Sequence, residues 1–519
     1  MWLPPHGVAA PCRAPSSAMS RVPRRSCRAF ALRTRGARRC GFREQPSCRP
    51  AHPPVHSAKS CSHDSTVRKQ GRDGREGMSD RNMTVLGRRT LLGGTAALGL
   101  GTPMLARAQA QTTIRWWSPQ TAPAQREAYN FQIRAFEQAN PGVRVVFEAT
   151  SDEGYPAQMA AAFASQQVPS VVTHLPSFAL ATYWQNGLLE PMNDVIQAVG
   201  PQNYYEGANR IYEITPGQYC GTGIGNSAAN MLWLRADLMQ AAGISAPPRT
   251  WDQLRDACRR MQGRGVFGAP LPYGRNSMTS LIFICFVHGA GGQIFTPDLQ
   301  VAVDSDAFRN ALEFYKSMRE LCPPGATGYS WGESLTAFVS GATATGIYTG
   351  RVLANVAAQN PRIADHISCH RYPTISADIA HWTFNDFPSV MIPKVAPNMD
   401  LAKRFAAHLF QPEGYIRQLH AAPGHVLPVL KTISAMPQYQ DNAIINKYRA
   451  MVDLMSESAA AGHNLGWETP RHKPNTRAGA IIASHALSEA VQRYVINNEP
   501  MAQVVSVTAQ RLEQLMRAS

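Results

Sequence analysis

Between Thr113 and Asn186 the chain alternates short β-branched or aromatic runs with stretches that place apolar residues at helical spacing. No other feature restricts the fold as strongly. Thr113-Ile114-Arg115-Trp116-Trp117 reads as a strand. Ala124 to Gln138 sets Tyr129, Ile133 and Phe136 on one helical face and stops at Asn140-Pro141-Gly142. Val143-Arg144-Val145-Val146-Phe147 reads as a second strand, Tyr155 to Gln166 as a helix, Val171-Val172-Thr173 as a third strand and Ala179 to Asn186 as another helix. Parallel neighbours need a crossover of about a dozen residues, which a helix of this length supplies. The pattern predicts βαβ units, a parallel sheet and an α/β fold.

Ahead of this region lies a three-part segment. Arg88-Arg89-Thr90 is followed by a Gly/Ala/Leu run from Leu91 to Leu105, and then by the small-residue sequence Ala106-Arg107-Ala108-Gln109-Ala110. Paired arginines, a weakly apolar run and a small-x-small site are the parts of a twin-arginine export signal. The run is shorter and less apolar than the roughly twenty residues of a spanning helix. Residues 83–110 are therefore read as a signal peptide, with Arg88 and Arg89 engaging the twin-arginine translocase and cleavage around Ala108 and Ala110. The product is expected in the periplasm. Residues 1–82 are rich in Arg, Pro, Ser and Cys and cannot bury enough apolar surface to offset the entropy of ordering, so disorder is expected there. Export signals open a chain, so translation is expected to begin at Met83 or Met78; a genuine basic extension is the alternative.

The net charge of +16 misleads about partners. Residues 1–82 hold 17 basic and 5 acidic residues, and Arg88, Arg89 and Arg107 add three more charges, so residues 111–519 sit near +1. The basic balance is no evidence for a nucleic-acid partner. Of the ten cysteines, Cys12, Cys27, Cys40, Cys48 and Cys61 fall in the first segment. Cys220, Cys258, Cys285, Cys322 and Cys369 remain, scattered and without metal-ligand spacing. Cys258 and Cys285 lie in apolar-patterned segments and are read as buried thiols. No cysteine follows the cleavage region to carry a lipid anchor, and a soluble product is expected. Residues 111–519 suffice for two lobes with separate cores.

Enzyme signatures are missing from the sequence. Gly221-Thr222-Gly223-Ile224-Gly225 lacks dinucleotide-loop spacing, and there is no phosphate-binding loop, no H-E-x-x-H and no G-x-S-x-G. His366 and His370 stand four apart, yet Ile367-Ser368-Cys369 between them reads as a strand, which denies the pair a helical face. No cofactor, no metal and no catalytic activity are expected.

Six segments, in order, resemble the extracellular solute-binding proteins of ABC importers, the family that includes maltose-binding protein. They are Asn140-Pro141-Gly142-Val143-Arg144-Val145, Val168-Pro169-Ser170-Val171-Val172, Asn186-Gly187-Leu188-Leu189-Glu190-Pro191, Met231 to Leu238 with Ala242-Gly243-Ile244 and Pro248-Arg249-Thr250-Trp251-Asp252, Phe338 to Ala344, and Gly424 to Val429. Ser170, Leu234 and Thr345 depart from the family's usual residues at positions that are mostly structural. The resemblance implies two α/β lobes joined by hinge strands around a central cleft, with lobe 1 near 111–225 and 385–430 and lobe 2 near 226–384 and 431–519. It also implies a monomer that takes a small-molecule solute, a carbohydrate or related polyol, to ABC permease subunits in the inner membrane.

Ligand contacts in such a fold belong where strands end and helices begin. Trp117 and Ser118 end the first strand, Asp152 and Glu153 follow the second, and His174 and Ser177 follow the third. By resemblance, Asn226 and Ser227 ahead of the Ala228–Leu234 strand, Trp331, and Tyr348-Thr349-Gly350-Arg351 match contact positions. Trp382 and Asn385 lie in the second crossover. Trp117 and Trp382 are candidate stacking platforms for a sugar face, whereas Trp233 and Trp251 match packing positions. Arg351, Arg275 and His174 leave an alternative open, a receptor for a sugar acid or phosphate ester; the neutral solute is favoured by the near balance of charge. A secreted two-lobe hydrolase is the rival of another class.

Overall fold

The computed structural model describes residues 111–151 and 154–518. Arg88, Arg89, Ala108, Ala110, Asp152 and Glu153 lie outside the described residues. The expected alternation is present. β1 (Thr112–Ser118), β2 (Val143–Ala149) and β3 (Val171–Thr173) are separated by α1 (Pro123–Ala139) and α2 (Tyr155–Ser165), and α3 (Ser177–Gln185) follows β3. β1 pairs in parallel with both β2 and β3. Its inward side chain Trp116 is fully buried, packing on Tyr129 of α1 at 4.4 Å and on Phe147 and Phe405 at 5.3 Å between ring centroids.

The chain then forms β4 (Thr222–Gly223), crosses to a second sheet as β5 (Met231–Arg235), adds β6 (Thr345–Tyr348) and β7 (Ile367–Arg371), and returns as β8 (Ser389–Met391). The strand orders are β2-β1-β3-β8-β4 and β6-β5-β7. The expectation of a parallel sheet holds for β1 to β3 alone. β8 runs antiparallel to β3 and β4, and the second sheet is antiparallel throughout. Strands brought in by long excursions, rather than by one crossover helix, escape the parallel constraint of a βαβ unit. The strand expected from Ala228 begins at Met231, because the residues ahead of it make the crossing. His370 lies within β7 and His366 precedes it, as the strand reading of that pair requires.

Trp233 and Trp251 are core residues, as the family resemblance implied. Trp233 is fully buried and donates its indole N–H to the Tyr348 carbonyl at 3.0 Å. Trp251 stacks on Phe314 at 4.4 Å with 13° between the rings. Cys220, Cys258, Cys285, Cys322 and Cys369 are free and buried, and burial pushes the thiols up, Cys322 to about 11 and Cys258 to about 12. Such thiols are poor nucleophiles. No helix of the described residues is long and apolar enough to cross a membrane.

Where the chain passes between the sheets, one side chain ties three segments together. Asn385 is fully buried; its Oδ1 accepts from the backbone N–H of Ser227 at 3.1 Å and of Phe387 at 2.9 Å. Its Nδ2 donates to the Ala459 carbonyl at 2.7 Å. Asn464 extends the knot, donating to the Asn385 carbonyl at 3.1 Å and to Ser177 Oγ at 2.9 Å. Asn226 donates to the Pro428 carbonyl at 3.2 Å. Asn385→Ala strands two buried donors, the N–H groups of Ser227 and Phe387, each costing about 1–3 kcal/mol, while the Ala459 carbonyl keeps the Gly462 N–H at 2.9 Å. Urea unfolding should show a loss of about 3 kcal/mol or more at an unchanged denaturant slope; a loss below about 1 kcal/mol would refute the structural role.

Candidate functional site

The residues expected at the ligand separate into two groups. In the first, side chains from both sheets meet. β1 ends at Ser118, whose Oγ lies 3.4 Å from Tyr129 Oη and 3.5 Å from His174 Nδ1. His174 ends β3 in a left-handed conformation, φ 63°, with its N–H on the Ser389 carbonyl at 2.8 Å. A non-glycine residue with positive φ is uncommon, and such backbone strain gathers at functional sites. From the second sheet, β6 runs into Thr349, Gly350 and Arg351, where the helix Arg351–Gln359 begins. Thr349 Oγ1 accepts the Arg351 N–H at 3.2 Å and lies 3.1 Å from Nδ1 of His425.

His425 reaches this point through a close approach of two backbones. A Cβ added to Gly350 would fall 1.9 Å from the Gly424 carbonyl oxygen, and Gly424 itself turns with φ 77°. Only glycine fits at both places. His425 stands within electrostatic reach of both His174 and Arg351. Ser118, His174, Thr349, Arg351 and His425 therefore form one polar group fed by β1, β3, β6 and the turn at Gly424. His425 was not among the expected contacts. Its signal was the Gly424 turn, read only as fold punctuation. Trp331, the first residue of the helix Trp331–Val339, meets Tyr348 edge-on at 5.6 Å, so this expected pair is adjacent.

The second group has partners within the fold. Trp117 is 6% exposed, sits in the core and donates to Glu148 Oε2 at 2.5 Å. Trp382 lays one face on His288, 4.2 Å away and nearly parallel, and gives its N–H to the Glu468 carbonyl at 2.8 Å. Trp117 is thereby closed as a platform, while Trp382 is half-buried with one face taken by His288. Ser177, Asn226, Ser227 and Asn385 are buried and serve the crossover knot. A polar residue at a strand end looks the same in sequence whether it meets a solute or a neighbouring backbone. Arg275 is closed by Glu489 at 2.5 Å. Beneath Trp382, Glu468 accepts from the Ile294 and Phe295 N–H groups and faces His288 Nε2 at 2.9 Å.

A cavity of about 640 Å³ opens elsewhere, lined by Phe136, Val195, Lys403, Arg404 and Phe410, and none of the expected contacts faces it. Lys403 there is already paired with Glu190 and Asp194, each at 2.9 Å. Among the described residues no cluster of three His, Cys, Asp or Glu could hold a metal ion.

Burial decides the charge of the imidazoles. It brings His174 down to about 4, and it lowers His425 well below the usual histidine range, with Arg351 and then His174 adding to the effect. Both are neutral at pH 7, able to donate and accept at once. A histidine held neutral in the fold but free to charge when unfolded gives stability that is present above the unfolded value near 6.5 and lost as pH falls towards the folded one. Thermal stability should therefore fall from pH 7 to pH 4.5, and His174→Gln should reduce the slope of unfolding free energy against pH by up to about one proton. An unchanged slope would show that His174 does not titrate in this way.

Comparison with known proteins fits this architecture. The family described as bacterial extracellular solute-binding protein matches residues 119–416. A putative ABC transporter periplasmic-binding protein, YcjN of Escherichia coli strain K12, is 21% identical over 390 residues, covering 74% of this chain and 88% of its own. The maltose-bound MalE3 of T. maritima superposes with a TM-score of 0.67 at 17% identity, covering 78% of this chain and all of the other. A solute-binding protein from Agrobacterium radiobacter K84 in complex with ribitol gives 0.66 at 17% identity, covering 78% and 98%. The two-lobe solute-binding fold is thus shared, and the family match spans more than half the chain. The chain belongs to the bacterial extracellular solute-binding proteins, the component of ABC-type importers that captures a small-molecule solute for the membrane permease.

Proposed function

We propose that the solute is a carbohydrate or related polyol, held where the two sheets present Ser118 and His174 on one side and Thr349, Arg351 and His425 on the other. The observation that carries this reading is the Thr349–His425 contact lying within reach of Arg351 and His174. Neutral imidazoles and hydroxyls that both donate and accept suit a ligand whose surface is mostly hydroxyl groups. A site built this way rejects analogues that lack those hydroxyls, because its own polar groups would then be left unpaired. Trp331 beside Tyr348 offers an aromatic surface next to them. The sugar and polyol named for the similar structures, maltose and ribitol, support the same class of solute.

The lobes proposed are 111–225 with 385–430, and 226–384 with 431–519, parting and closing about the Asn385 knot. Export by the twin-arginine route to the periplasm, as a monomer, completes the reading. Passage in a folded state suits five buried thiols, which would be covered before reaching an oxidising compartment.

A thermal-shift screen over sugars, polyols, sugar acids and sugar phosphates tests the solute class. A ligand at a hundred times its Kd adds about 2.7 kcal/mol of stability, a shift of several degrees. Absence of any shift across the panel would overturn the reading. For export, replacing Arg88 and Arg89 by Lys should hold the precursor in the cytoplasm; efficient delivery of that variant would point to the general secretion route.

A further inference from the structure

Most half-buried arginines in this protein have a side-chain partner. Arg115 meets Glu148 at 2.7 Å, Arg235 meets Asp237 at 2.6 Å, Arg255 meets Asp252 at 2.6 Å and Arg493 meets Glu499 at 2.6 Å. Arg126 lies over the Phe147 ring at 4.2 Å, and Arg319 and Arg449 donate to the Pro324 and Gln440 carbonyls at 3.3 and 3.0 Å. Arg351 and Arg477, also half-buried, show neither kind of contact among the described residues, and of the two Arg351 stands at the polar group described above. Its backbone N–H is held by Thr349, but its guanidinium enters no ion pair among the described residues. The groups within its electrostatic reach include His425, which stands close to His174 in turn, and both imidazoles are neutral for want of solvent. Arg275, the other cation considered for the cleft, is spent on Glu489.

A guanidinium drawn partly out of water with no counterion is an unfavourable arrangement that a bound anion relieves. Its fork reads a carboxylate or phosphate through two parallel bonds, a geometry a hydroxyl cannot match. We propose that the solute is an acidic polyol, its carboxylate or phosphate held by Arg351 and its hydroxyls by Ser118, His174, Thr349 and His425. This rests on the receptor reading above and narrows its solute class. Carboxylate and phosphate share the chemistry that Arg351 recognises, and the probes below separate them.

Calorimetric titration of the exported protein with glucose, glucitol and maltose, with gluconate and galacturonate, and with glucose 6-phosphate and glucitol 6-phosphate provides the test. An acidic probe should bind, and its affinity should fall on passing from low to high ionic strength. Arg351→Gln should weaken that binding by about a hundredfold or more, and Arg351→Lys should recover part of the loss. Because Arg351 has no carboxylate partner among the described residues, the unfolding temperature of the ligand-free variants should match the parent. Should Arg351→Gln unfold early, the Lys variant and the salt dependence of the parent carry the test. A neutral probe binding more tightly than every acidic one, indifferent to salt and changed less than about tenfold by Arg351→Gln, would overturn the acidic assignment and leave the receptor reading standing. Failure of every probe, neutral and acidic, would overturn both.

Discussion

The side-chain amide of Asn385 is the interaction on which the rest of the architecture depends. The chain passes between its two sheets in segments that have left one ladder and not yet joined the next, so their backbone groups need partners from outside regular structure. Asn385 meets two N–H groups of such segments and the Ala459 carbonyl at the end of the helix Arg449–Ala460. Asn464 carries the network to the first turn of α3 through Ser177. An aliphatic residue of the same size would fill the volume and leave the two N–H groups orphaned. A fully satisfied buried network also has one geometry, which holds these crossing segments in one arrangement.

The polar group at those ends has a different character from the knot. Thr349 and His425 bond one another, but Arg351 has no counterion among the described residues and His174 sits in a strained backbone conformation. The amides of Asn385 and Asn464 in the knot are bonded at both their oxygen and their nitrogen, whereas Arg351 keeps a free guanidinium among the described residues. A site awaiting a ligand differs from a structural network in this respect, since its unmet hydrogen-bonding capacity is what the solute supplies. The fold is common to receptors for many solutes, so specificity rests on such residues rather than on the sheets.

Much of the fold was legible in the sequence because hydrophobic periodicity is a local property. The strands and helices from β1 to α3 follow from apolar spacing and from stops such as Asn140-Pro141-Gly142. The buried state of Cys258 and Cys285 follows from the apolar patterns around them, while the packing roles of Trp233 and Trp251 were implied by the family resemblance. The antiparallel second sheet was not legible. Its strands are separated by long excursions, and strand direction there is settled by how those excursions return.

The candidate site divides in the same way. Sequence alone determined that polar and aromatic residues collect at the ends of β1, β3 and β6, because an α/β chain places its strand ends in a crevice whatever the ligand. Tertiary structure alone decided which of them face that crevice. Trp117 went to Glu148, Trp382 to His288 and Glu468, and Asn226, Ser177 and Asn385 to one another, while His425 was delivered from a distant turn by the contact of Gly350 with Gly424. Residue type states what a side chain can bond. Which partner it meets depends on segments far along the chain, and that distance is closed only by folding.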